Sequence, residues 1–217
     1  MNKNVSRFGF WSAIIIALLV VLIDVGMILS AILFPITSIT GIESYASSYT
    51  SLQMLPFIPS LLLAPMFVIM MMCIYQSASE DKKILGQLGV AFALICGGIL
   101  SMHYYIQLTV VQQGLLNNET AGLWLFSAPN PRSLFWTFSA LGYGFMGFSL
   151  LCATPIFAEK TERSIKWLFI ANGIIGVGFL VGNALGIFMA NILASFIWGV
   201  LFPIATLLVA KRFKQTT

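Results

Sequence analysis

The chain has 217 residues and a net charge of +4, with 59% of residues hydrophobic and only 8% charged; its mean hydropathy is +0.96. A soluble domain carries about 25% charged residues, so a water-soluble fold is excluded and lipid is the implied solvent. Backbone amides in lipid need internal partners, and the apolar residues come in runs of about 20 rather than alternating, so helices are expected and a β-barrel is not. The expected fold class is an all-α membrane protein: one transmembrane domain over residues 1–217, built as a six-transmembrane-helix bundle.

Six apolar runs meet the length of a membrane span, at roughly 10–34, 54–76, 85–113, 134–157, 166–187 and 191–210. The first starts positively with Lys3 and Arg7, but it is too long for a cleavable signal, is interrupted by Asp24 and lacks a small-x-small site. Ten of the eleven Lys and Arg residues fall at the termini and in loops 2–3 and 4–5, against Arg132 alone on the other side. That asymmetry predicts cytoplasmic N- and C-termini, which an even number of spans allows. The pI near 9.1 then reflects loop charges, and no nucleic-acid partner is expected.

Asp24 is the only acid well inside a span. An ionised carboxylate there costs at least about 3 kcal/mol on insertion scales, so it should face the bundle interior and be paired or protonated. Loop 1–2, near Thr37–Gln53, is rich in Ser, Thr and Tyr and holds Glu43. Pro65, mid-helix in the second run, removes a backbone donor and should kink it. Cys73, Cys96 and Cys152 all lie in apolar runs with no C-x-x-C spacing, as packing residues do.

The third run holds the only histidine, in Ser101-Met102-His103-Tyr104-Tyr105-Ile106-Gln107-Leu108-Thr109. His103 and Gln107 share one helical face, whereas Ser101, Tyr105, Thr109 and Gln112 follow another. Two polar faces point to a central helix or one lining a cavity. Counted along their helices, Asp24 lies roughly 21 Å and His103 roughly 27 Å from the cytoplasmic end, close enough in level for an Asp–His contact.

In loop 3–4, Asn117-Asn118-Glu119-Thr120 before an apolar stretch suggests a short capped helix on the membrane surface, ended by the rigid Ser127-Ala128-Pro129-Asn130-Pro131-Arg132 turn. Asn118 opens a glycosylation sequon, and Glu43, Glu119 and Arg132 read as solvated loop charges at the outer surface. The last two runs are nearly continuous from Trp167 to Ala210, longer than any bilayer, so the chain should turn between Gly186 and Asn191. Gly178, Gly182 and Gly186 form a stripe for close helix packing, and Asn172, Asn183 and Asn191 suit interhelical hydrogen bonds. A short echo of Leu33-Phe34-Pro35-Ile36-Thr37 in Leu201-Phe202-Pro203-Ile204 hints at an inverted repeat.

One histidine excludes bis-histidine haem and three-histidine zinc sites, and the spans hold no mid-membrane lysine for a Schiff base. No phosphate-binding glycine loop and no arginine-rich voltage-sensing span occurs. No cofactor or metal is expected, and no catalytic residue is assigned.

Gln107-Leu-Thr-Val-Val-Gln112, Glu119-Thr-Ala-Gly-Leu-Trp-Leu-Phe126, Asn130-Pro131 and Leu141-Gly142-Tyr143 together resemble a family of uncharacterised prokaryotic six-transmembrane-helix membrane proteins. The resemblance covers about a quarter of the chain, and His103 is not part of it. It implies a bacterial or archaeal source and no particular activity. The expected function is to bind or move a small apolar or amphipathic molecule through an outward-facing cavity between helices 1 to 4. Asp24, His103 and Gln107 would supply polar contacts there, and Tyr104, Tyr105 and Tyr143 a wall. The alternatives are a lipid-modifying enzyme with an Asp24–His103 acid–base pair and a non-catalytic subunit of a membrane complex. Expected partners are membrane lipids, a small amphipathic ligand, and a second copy or another membrane protein. The expected location is the cytoplasmic membrane.

Overall fold

The computed structural model describes residues 2–33 and 40–215, with the backbone alone at 188–190. It is 85% helix, and no strand occurs among the described residues. In chain order the α-helices are α1 (Lys3–Leu33), α2 (Ile42–Ser48), α3 (Phe57–Gln76), α4 (Lys83–Ile106), α5 (Gln112–Leu116), α6 (Leu134–Ala153), α7 (Arg163–Ala184) and α8 (Phe188–Gln215). Six of these segments are long and apolar enough to cross a membrane, as befits a multi-pass membrane protein. The third segment runs from α4 into α5 through a π-helical turn at Gln107–Val111.

Most boundaries fall within a few residues of the expected runs. The first helix instead begins at Lys3, because the Asn2 side chain accepts a hydrogen bond from the Asn4 amide (2.9 Å) and caps the first turn. The last extends to Gln215 because its final turn is packed: Phe213 is fully buried, and a Cβ on Gly9 of α1 would run into its ring. This contact also places the start of α1 beside the end of α8, so both ends of the chain emerge at one end of the bundle, here the terminal end.

The six long segments form a closed ring in which each packs on its neighbours in the chain and α8 closes on α1. The α4 segment is therefore part of the wall, not the central helix suggested by its two polar faces. His103 and Gln107 point inward and are buried, while Tyr105 is 60% exposed on the outer face. The outer face tolerates Thr109 because its hydroxyl donates to the Tyr105 carbonyl of its own helix (2.7 Å).

The closest helix approach is between α6 and α7. A Cβ on Gly147 would sit 2.6 Å from the Gly173 carbonyl oxygen, and one on Gly176 would meet the Tyr143 carbonyl oxygen at 2.5 Å. Of the expected stripe at Gly178, Gly182 and Gly186, only Gly182 meets a neighbour, where a Cβ would run into the Asn191 side chain of α8. Gly178 faces open space, and Gly186 adopts φ +71° at the α7–α8 turn. There the Ile187 amide reaches back to the Gly182 carbonyl (2.8 Å), closing the helix end where the sequence required a turn.

The two connections at the far end also differ from expectation. Residues 117–126 form no capped surface helix: Asn118 (φ 59°) and Gly122 (φ 77°) turn the chain, leaving one 3-10 turn at Leu123–Leu125. The α1–α3 connection, expected as loop, contains α2, with Tyr45 buried. Burial also raises the Tyr45 and Tyr49 phenols above their ordinary pKa, so both remain neutral. Residues 34–37, the first half of the sequence echo, lie outside the described residues.

Candidate functional site

Helical spacing turns one face of each helix into the wall of a cavity at the far end of the ring. From α1 come Ile23, Asp24, Met27 and Ile28, and from α6 Phe135, Trp136, Ser139, Ala140 and Tyr143. Both sets repeat at one, four and five residues, the inward stripe of a helix. Pro56, Phe57 and Ser60 enter at the start of α3, Tyr104 from α4 and Phe179 from α7. The first turns of α8 supply Asn191, Ser195, Phe196 and Trp198. The cavity holds about 160 Å³ and draws on all six long segments, rather than the expected four.

Nearly half of the lining residues are aromatic. Tyr143 packs edge-on against Trp198 (centroids 5.1 Å apart) and beside Phe179 (5.7 Å), while Phe57 bridges Tyr104 (5.9 Å) and Phe135 (5.6 Å). Met27, Ile28 and Phe196 line the cavity yet remain 46%, 50% and 60% exposed. They mark its rim on the flank between α1 and α8.

The wall hydroxyls already have partners. Tyr104 and Tyr143 share a hydrogen bond between their phenol oxygens (3.1 Å). Ser60 donates to the Pro56 carbonyl (2.8 Å) and Ser195 to the Ile192 carbonyl (2.6 Å). Ser139 Oγ pairs with His103 Nε2 (3.1 Å). Asp24 differs: among the described residues no hydrogen bond or ion pair reaches its carboxylate. Its oxygens lie against α8 where Gly199 has no side chain; a Cβ there would be 2.6–2.7 Å from them.

Of the six residues expected at a binding site, Asp24, Tyr104 and Tyr143 line the cavity. His103 does not; it lies behind Ser139, 1% exposed, between the Tyr104 and Phe135 rings (4.6 and 4.8 Å). Asp24 and His103 lie at nearly the same level, about 21 and 20 positions into α1 and α4. They form no ion pair, because α3 stands between α1 and α4 in the ring and His103 turns toward α6. Gln107 serves the fold: its Nε2 donates to the Phe126 carbonyl (3.0 Å) and anchors the connection above it. Tyr105 faces outward, away from the cavity.

No family model, no curated protein and no solved structure matches this chain.

The sequence reading missed Ser139, Trp198 and Gly199. Only the small residue beside an aromatic in Trp198-Gly199 signalled them, and such pairs are common in membrane helices. It also missed the polar cluster at the terminal end, where Arg212 Nε donates to Glu162 and NH1 to Ser77 Oγ (2.8 Å). The Arg212 guanidinium lies 5.3 Å from the centre of the Phe157 ring. Asn172 was expected to bond across helices; its amide instead donates to Leu168 of its own helix (2.8 Å).

Proposed function

We propose that this chain is a multi-pass protein of a prokaryotic cytoplasmic membrane, with both termini in the cytoplasm, that binds or moves a small apolar or amphipathic molecule through the far-end cavity. The observation that carries this reading is the cavity itself: a wall rich in aromatic rings in which, among the described residues, every hydroxyl but no carboxylate oxygen is paired. A site that leaves one charged group unpaired in apolar surroundings is set up for an occupant. The positive-inside asymmetry supports the orientation and makes the cavity outward-facing. The sequence resemblance supports the prokaryotic source.

Native mass spectrometry of the protein in mild detergent tests this. The wild type is expected to carry a defined non-lipid adduct, and Ala140→Leu, which fills the cavity, is expected to lose it. Equal adducts on both proteins sink the reading.

A lipid-modifying enzyme is the second reading, and the Ser139–His103 hydrogen bond at the wall favours it, since it joins a hydroxyl to a base. The Asp24–His103 pair gives it no support. Conversion of a labelled lipid in proteoliposomes that His103→Ala abolishes would establish it. A third role, as an accessory subunit in a homo-oligomer or with a membrane partner, predicts instability of the isolated chain.

A further inference from the structure

We propose that the occupant of the far-end cavity is a small lipophilic monocation, an amine held as its ammonium, with the charge on Asp24 and the apolar body against Tyr143, Trp198 and Phe179. The inference rests on the binding reading above and names its ligand class.

The charge follows by elimination along the wall. Among the described residues no Lys, Arg or His lines the cavity, so an anion would face Asp24 with nothing to neutralise it. A neutral molecule could donate a hydrogen bond to the carboxylate but would leave its charge uncompensated. A metal ion needs several strong ligands at short range, and no group of three His, Cys, Asp or Glu side chains that could hold one occurs among the described residues. A dication would carry one charge too many. A monocation fits, because one ammonium both neutralises Asp24 and donates to it.

The surroundings argue the same way. The negative faces of aromatic rings attract cations, most strongly when water is excluded, and eight of the eighteen lining residues are aromatic. The open flank between Ile28 and Phe196 gives an apolar tail a path toward lipid. Gly199 holds the carboxylate place open, since any larger residue would displace it. The cavity of about 160 Å³ sets the size of the enclosed part. Cavities of about 150 Å³ take up benzene, so one aromatic ring with a short amine arm fills it.

The test is isothermal titration of the full chain in mild detergent with phenethylammonium and with 2-phenylethanol, its uncharged counterpart. The wild type is expected to bind the cation at least about 10-fold more tightly than the alcohol. Asp24→Asn should reduce that preference to within about 2-fold, and Asp24→Glu should retain it. Binding of both compounds without preference, blocked by Ala140→Leu, would overturn the cation assignment while leaving the cavity a binding site. Preference surviving in Asp24→Asn would also overturn it. Failure of both compounds to bind, with no adduct on the native protein, would sink the inference together with the binding reading. Monodispersity and melting of each variant verify that it is folded.

Discussion

The two ends of this bundle are built from the same apolar material and treat a half-buried charge in opposite ways. At the terminal end, Arg212 and Glu162 form an ion pair with side chains only 18% and 10% exposed. Ser77 and the Phe157 ring complete the guanidinium's surroundings, joining α3, α8 and the α6–α7 connection. Phe169 packs edge-on against Phe157 (4.9 Å), and Phe213 is fully buried. At the far end Asp24 has a cavity instead of a partner. A paired charge knits helices together, whereas an unpaired one spends stability that only a ligand returns. The same bundle thus has a sealed end and a receptive end.

Removing one charge at each end should break this comparison most plainly. Glu162→Ala removes the acid that neutralises the half-buried Arg212, and a loss of about 3 kcal/mol is expected. A melting temperature in detergent that matched wild type would mean that the pair does not hold the terminal end. The sign should reverse for Asp24→Asn, which removes a carboxylate no protein group compensates. Stability should rise by about 1–2 kcal/mol while the preference for the cation is lost; a drop in melting temperature would reveal a partner at the far end. Tyr143→Phe takes away the shared phenol hydrogen bond, with an expected loss of about 1 kcal/mol. A loss as large as that of Glu162→Ala would make the far end as tightly knit as the terminal one. The smallest effect belongs to Tyr105→Leu, on the outer face, with a change below about 0.5 kcal/mol and unaltered ligand affinity. Reduced affinity would return Tyr105 to the site.

The glycines show how far pattern reading reached. Spacing of four selected Gly178, Gly182 and Gly186, of which only Gly182 meets a neighbouring helix, whereas α6 and α7 meet at Gly147, Gly173 and Gly176. A spacing shows that a flat stripe exists without showing which neighbour lies opposite, and α7 carries both sets. The same limit governed the candidate site. Asp24, Tyr104 and Tyr143 were recognised because polar groups inside apolar runs stand out, and all three line one cavity. His103 and Gln107 stood out for the same reason, but their partners, Ser139 and the Phe126 carbonyl, lie 36 and 19 residues away in the chain. Trp198 and Gly199 look like ordinary membrane-helix residues until α8 is set against α1.

Hydropathy by itself determined the all-helical class, the six spans and their approximate limits, because in lipid each helix must satisfy its own backbone and so announces itself locally. Charge asymmetry along the loops supplied the expected orientation by the same local logic. Only the tertiary structure decided that the helices close into a ring in chain order and that Asp24 faces Gly199 instead of His103. The physical reason is that helix association in an apolar solvent has no hydrophobic drive to mark the inward face. It rests on close packing and a few polar bonds, which depend on residues far apart in the chain.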